Sequence, residues 1–247
     1  MDFFTADLHL DHPNILWYSP GRVLFLSPAE AEKKREWGPS REAITFKPSR
    51  ASIERMNDAL IDGVNERVGK KDRLWILGDF AVKATPERTQ EFRERIRCKD
   101  VRLVWGNHDD REACRPLFTA CYEAVMVHVP PAASGGGSLT EDEVQAAIAK
   151  DKLGTREAKR MQRVYLSHYA HVVWQASHKG VYHLYGHSHG NLEAWRERTI
   201  PSALSMDVGV DVHGYKPVSW EEIDRVLSAK RSKVPPHAVD HHVSDES

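Results

Sequence analysis

Two short apolar runs, Arg73-Leu74-Trp75-Ile76-Leu77 and Val101-Arg102-Leu103-Val104-Trp105, stop abruptly at Gly78-Asp79 and at Gly106-Asn107-His108-Asp109. Runs of this length bounded by glycine read as buried strands. Between them, Thr85-Pro86 is a helix start, with Thr as cap and Pro at the first helical position, and the helix runs to about Ile96. A strand, a helix and a strand at this spacing make a βαβ crossover, so Asp79 and Asn107 leave neighbouring parallel strands at one edge of a sheet. This unit commits the chain to an α/β fold and directs attention to the carboxyl ends of the strands, where such sheets bind ligands.

Three more strand-like runs end in the same kind of residue. Phe3-Phe4-Thr5-Ala6 delivers Asp7-Leu8-His9, with Asp11 and His12 close behind. Val164-Tyr165-Leu166-Ser167 delivers His168, and Val181-Tyr182-His183-Leu184-Tyr185 delivers Gly186-His187-Ser188-His189-Gly190. In an extended segment alternate side chains share a face, which predicts Asp7 beside His9 and His187 beside His189. A single His in a loop is ordinarily a surface or packing residue, but strand ends that converge on nitrogen and oxygen donors call for a common cause. Asp7, His9, Asp79, Asn107, His168, His187 and His189 exceed the donors one ion needs, so the count suits two. Cys98, Cys114 and Cys121 show no CxxC spacing, so thiolate ligation and a disulfide framework are both set aside. Imidazole, carboxylate and amide donors favour Mn²⁺, Fe, Zn²⁺ or Ni²⁺ over Mg²⁺ and Ca²⁺, which prefer all-oxygen shells. Asp79 is the natural bridging carboxylate.

The remaining segments are less informative. Residues 18–50 carry Pro20, Pro28, Pro39 and Pro48, which predicts an irregular excursion with a short helix near residues 28–37. Ile53, Met56, Leu60, Val64 and Val68 recur at helical spacing. Cys121 to Val129 reads as one strand. Pro130-Pro131 and Ser134-Gly135-Gly136-Gly137-Ser138 then read as a flexible linker, and Thr140-Glu141-Asp142-Glu143 as a capping box opening a helical segment to about Gln162. Residues 130–163 are therefore expected to form an inserted helical arm, serving as a lid, a dimer contact or a partner surface. Ala203 to Val212 is strand-like and carries Asp207 and Asp211, and Ser219 to Glu222 caps a last helix. One domain is expected over 1–230, followed by a disordered tail at 231–247 whose His237, His241 and His242 are incidental. The net charge of −1 offers no global field for nucleic acid or a membrane. No basic leader and no apolar stretch near about 20 residues is present, which predicts a cytoplasmic protein without membrane contact.

The series Asp7-x-His9, Gly78-Asp79, Gly106-Asn107-His108-Asp109, His168 and Gly186-His187-x-His189, in that order, resembles the calcineurin-like metallophosphoesterase superfamily. The text Asp7-Leu8-His9-Leu10-Asp11-His12-Pro13-Asn14-Ile15 and Asp207-Val208-Gly209-Val210-Asp211 resembles a small bacterial and phage branch of predicted phosphoesterases. The resemblance spans residues 3 to about 213. It implies a four-layer α/β/β/α sandwich with the site at the strand ends and two divalent ions, Mn²⁺ first among the candidates. Asp7, His9 and His189 would hold one ion, Asn107, His168 and His187 the other, and Asp79 both. His108 would donate a proton to the leaving oxygen, with Asp109 as its orienting partner. His12, Asn14, Tyr169, His171 and Trp174 flank these positions and are candidate substrate contacts.

The activity this implies is hydrolysis of phosphate esters, phosphodiesters of nucleotide or nucleic-acid type first, by a water activated between two cations. Phe80-Ala81-Val82-Lys83 after Asp79 offers no arginine to grip a monoester, whereas Arg156, Lys159, Arg160 and Arg163 of the insertion could follow a phosphate backbone. The alternatives are a phosphomonoesterase or protein phosphatase of the same fold, and a silent metal-binding scaffold.

Overall fold

The computed structural model describes residues 1–38, 46–131 and 137–231. Pro39, Ser134-Gly135-Gly136 of the linker and the tail beyond Arg231 lie outside the described residues. Ten strands form two five-stranded mixed sheets, and nine helices accompany them among the described residues. The strands are β1 (Asp2–Thr5), β2 (Arg73–Ile76), β3 (Asp100–Val104), β4 (Ala120–Tyr122), β5 (Ala124–Val129), β6 (Leu139–Thr140), β7 (Gln162–Ser167), β8 (Tyr182–Tyr185), β9 (Ser205–Asp207) and β10 (Val218–Ser219). The first sheet runs β10-β1-β2-β3-β4, with β1 to β4 parallel and β10 antiparallel at the edge. The second runs β6-β5-β7-β8-β9, with β7, β8 and β9 parallel.

Strand alternation divides the apolar residues between two cores. Phe3, Leu74, Ile76, Val101 and Leu103 face a helical layer that supplies Ile53, Met56, Leu60 and Val64 of the helix Arg50–Arg67 and Phe92 of Pro86–Arg95. Phe4, Trp75, Leu77 and Val104 turn the other way and meet Val127, Val164, Leu166 and Leu184 of the second sheet. Three parallel strands of each sheet thus end at one rim of this shared core, and the candidate ligands follow those ends.

Two expectations are corrected here. The run from Cys121 to Val129 is not one strand: it passes from the first sheet to the second at Glu123, so that Tyr122 pairs with Val104 and Ala124 with Ser167. The residues on both sides are apolar because both strands border the same core, which hides the break. The insertion is not an arm. Ser138 accepts the Trp75 indole N–H at 3.0 Å and donates to Asp2 at 2.7 Å, which anchors the end of the linker on the first sheet. The helix that follows, Glu141–Ala149, is opened by the expected Thr140–Glu143 capping box but stops short of Gln162, which already belongs to β7. Glu143 receives both outer nitrogens of Arg102, Glu141 meets His128 at 2.6 Å, and Val144 is buried. These contacts seat the helix Glu141–Ala149 against both sheets.

The proline-rich excursion carries the helix Pro28–Trp37 where it is expected. Its Glu30 is a hub. The carboxylate accepts the backbone N–H of Ser27 at 2.8 Å, that of Ser49 at 2.5 Å and the Ser52 hydroxyl at 2.5 Å, so one acid joins the starts of two helices. Burial works to raise its pKa, and these hydrogen bonds outweigh it, bringing the group down to about 2. A folded-state value below the unfolded one stabilises the protein above the ordinary 4.5 and ceases to do so as pH falls from there toward 2. Glu30→Ala is therefore expected to cost about 2 to 3 kcal/mol in a urea titration at pH 7, and much less near pH 3.

Candidate metal centre

The loops beyond β1, β2 and β8 share a backbone feature: Asp7, His9, Asp79, His187 and His189 all have φ between 47° and 65°, in the left-handed region. Asp and His tolerate this region better than most residues, yet each such position stores strain, which the surrounding contacts must hold in place. Asp7 and His9 do come together as expected, though through a left-handed rather than an extended backbone, whereas the expectation that His187 and His189 share a face is corrected. The chain curls left-handedly, and His187 and His189 turn to different groups. Glycine makes the curl possible where loops meet. A Cβ on Gly78, itself at φ 92°, would lie 2.3 Å from the His168 ring, and one on Gly106 would lie 2.2 Å from an Asp79 oxygen.

Two clusters result. Asp7, His9 and His189 each offer one donor atom, all within 4.8 Å of one another, and Asp79, His168 and His187 do the same. The Asp79 carboxylate faces both, with one oxygen 3.3 Å from His9 Nε2 and 3.6 Å from His168 Nε2. Asn107 Oδ1 approaches His168 Nε2 at 3.0 Å. All seven residues expected as ligands thus meet at one rim: Asp79 and Asn107 from the first sheet's loops beyond β2 and β3, Asp7 and His9 from the loop beyond β1, and His168, His187 and His189 beyond β7 and β8 opposite them.

The chemistry of this cradle fits cations. His168 donates Nδ1–H to the Leu77 carbonyl at 2.8 Å, and His189 Nδ1 lies 2.7 Å from Asp211; each arrangement leaves Nε2 with a lone pair turned to its cluster. Both ring nitrogens of His9 are buried without a hydrogen-bond partner. Burial, then the charge of Arg22 and neighbouring imidazoles, holds His9 well below the ordinary histidine pKa, so its ring is neutral. Burial also lowers His168 and His187. Asp7 is driven the other way, well above the carboxylate range, by burial and then by the charges of Asp207 and Asp79. Lone pairs and crowded carboxylates facing each other are satisfied by positive charge, and the nitrogen and oxygen set without thiolate suits the transition metals named above.

The residues that hold this cradle are largely ones that sequence reasoning missed. Asp109 was expected beside the His108 ring; instead its two oxygens accept the backbone N–H groups of Asp79, Phe80 and Gly106, at 3.0, 2.8 and 2.8 Å. Burial raises its pKa to about 6 even against those bonds. The geometry makes it a clamp on two loops. Asp207 does likewise for the His187–His189 turn, accepting from Ser188 Oγ at 2.6 Å and Gly190 N–H at 3.1 Å. Asp7 takes the His187 N–H, and Asp79 takes the His108 N–H at 2.9 Å, so the carboxylates also string the loops together. Asp211 and Arg22 form a buried pair behind His189. Asp207 and Asp211 were visible as acids near a strand end; nothing marked Arg22.

Of the flanking candidates, His12 stacks on His9 with ring centroids 5.4 Å apart and lies 6.0 Å from the His108 ring. Burial, then the charge of His108, brings it down to about 4. Tyr169 packs on His187 at 4.6 Å and stays 49% exposed, at the rim of the cradle. Asn14 and His171 are not brought in. Asn14 begins the helix Ile15–Tyr18, and His171 turns to Tyr165 and His183. Trp174 is buried against His183, its indole N–H donating to the Val181 carbonyl at 2.9 Å. His108 is exposed, its ring 5.6 Å from His9.

The fold and these loops define a mixed α/β protein with paired His/Asp clusters at the rim between two sheets. No family model matches the sequence, and no curated protein matches it. Among solved structures the chain is similar to the protein of unknown function AQ665 from Aquifex aeolicus, 17% identical, with a TM-score of 0.53 over 92% of this chain and 98% of that one. That likeness concerns the fold alone. No helix among the described residues is long and apolar enough to cross a membrane.

Proposed function

We propose that the protein is a two-metal phosphoesterase of the calcineurin-like metallophosphoesterase kind. The observation that carries the reading is the Asp79 carboxylate, set between one cluster of Asp7, His9 and His189 and another of His168 and His187 with Asn107 alongside. The four-layer sandwich belongs to the same proposal. It draws support from His183 and Tyr185 on the outer face of the second sheet, which are covered by the 171–174 loop and by Arg196 of the helix Glu193–Thr199.

Two divalent ions in these clusters would neutralise phosphoryl oxygens and lower the pKa of an attacking water toward 7. The chain's own residues do the rest. Asp109, Asp207 and the carboxylates that accept loop N–H groups hold the donors at fixed spacing, so no reorganisation is needed when substrate arrives. His108, exposed at the mouth and tied through its backbone to Asp79, would give its ring proton to the leaving oxygen. His12 stands beside His108, and the Tyr169 ring packs on His187 at the rim.

The test is hydrolysis of bis-p-nitrophenyl phosphate and of p-nitrophenyl phosphate with Mn²⁺, beside Asp79→Ala and a chelated control. Diester turnover that depends on metal and on Asp79 is expected. Activity on the monoester alone would redirect the search to phosphomonoesters, and no turnover of either with Mn²⁺, Zn²⁺, Ni²⁺ or Fe²⁺ would sink the proposal.

A further inference from the structure

We infer that Arg22, with Ser19 and Asp211, positions one of the two cation sites and leaves the other untouched, so that the proline-rich excursion acts as a latch on the Asp7–His9–His189 cluster. The inference rests on the two-cation reading above. Arg22 is 0% exposed, and every arm of its guanidinium is engaged. Nε and Nη2 fork onto the two Asp211 oxygens at 2.9 and 2.7 Å, Nη1 donates to the Leu8 carbonyl at 3.0 Å, and Nη2 donates also to the Asp7 carbonyl at 2.5 Å. Ser19 Oγ adds a third donor to the same carboxylate at 2.8 Å, and His189 Nδ1 a fourth at 2.7 Å.

This places Arg22 on two of the three donors of one cluster. It grips Asp7 directly through its backbone, in a stretch where Asp7 is held left-handed at φ 58°. It grips His189 through Asp211, whose orientation decides which imidazole nitrogen faces the cluster. The second cluster is held by other means: His168 by the Leu77 carbonyl, and Asp79 by the His108 N–H and, through its own N–H, by Asp109. No hydrogen bond of Arg22 reaches it. The pairing with Asp211 also settles the charge problem, because a lone buried guanidinium beside a cation site would repel the ion, whereas the Arg22–Asp211 pair is neutral as a unit and orients without repulsion.

Lysine cannot replace the fork. It keeps one charge but has neither the planar geometry nor enough donors to hold both Asp211 oxygens and two carbonyls together. Mn²⁺ binding by equilibrium dialysis, with electron paramagnetic resonance to separate coupled from isolated ions, tests the inference on the wild-type chain, Arg22→Met and Arg22→Lys. The wild type is expected to bind two ions per chain as a coupled pair. Arg22→Met is expected to keep one ion at unchanged affinity and to bind the other about 10- to 100-fold more weakly, with an isolated-ion spectrum at limiting metal. Arg22→Lys should fall between them, and it decides the matter if circular dichroism shows that the Met variant has not folded. Two ions at wild-type affinities in the folded variant, or parallel loss of both, would overturn the latch alone. A wild type that binds fewer than two ions would overturn the two-cation reading and the latch together.

Discussion

An Asp79→Asn chain is expected to lose metal-dependent turnover by about 10³-fold or more while its metal-free form stays as stable as the wild type. Asp79 faces both clusters, so the substitution removes charge from both at once. A loss of about 4 kcal/mol of transition-state stabilisation, modest for a charge shared by two cations, already amounts to about 10³-fold. Asparagine keeps the volume and an oxygen that can accept the His108 N–H, so the loop between β3 and the helix Arg111–Cys114 should persist. The stability half of the expectation follows from repulsion. Asp79 is one of the charges that push Asp7 above its ordinary range, so neutralising it relieves crowding when no cation is present. Thermal melts with and without Mn²⁺ separate the effects. The wild type should gain about 2.7 kcal/mol at a hundredfold excess over its dissociation constant, and the variant much less. An equal gain in both would rule out a shared ligand at position 79.

His108→Ala is expected to slow turnover by about 10²- to 10⁴-fold for a diester with an alkoxide leaving group, the range of a lost general acid, and by about tenfold or less for a p-nitrophenyl ester. The contrast is the informative part. An alkoxide needs a proton as it departs, whereas p-nitrophenolate leaves readily without one. The His108 side chain is exposed and only its backbone N–H is tied to Asp79, so alanine should leave stability within about 0.5 kcal/mol and bound metal unchanged. Equal losses on both substrates, or a fall in metal content, would instead make His108 a ligand or a structural residue.

The donors were legible in the sequence because each follows a short apolar strand and each is of a type that binds metal, and both are local properties. What held them was not. Arg22 meets Asp211 across 189 positions, and a buried ion pair leaves no periodic trace in either segment. Asp109 sits in the same tetrapeptide as His108, and adjacency suggested a pairing, yet its oxygens are turned to three backbone N–H groups. The left-handed loops escaped for a different reason: extended alternation and a left-handed curl both bring Asp7 and His9 to the rim, and only the backbone angles distinguish them. The insertion was misjudged because a glycine run signals freedom, while the contacts that hold Ser138 just beyond it come from Trp75 and Asp2 in strands 63 and 136 positions away.

The centre straddles the seam between the two sheets, with aspartates and His9 contributed by one and His168, His187 and His189 by the other. Below that rim the seam is closed by apolar contacts; at the rim it is lined by carboxylates and imidazoles, whose crowding positive charge between them would relieve. Cations there would act as a keystone. Emptied of them, the two sheets should part from this end first, and the amides of the loops beyond β1, β2 and β8 should exchange with solvent through local opening well before those of the strands. The same arrangement that assembles the chemistry would thus make metal supply a determinant of how long the protein survives protease.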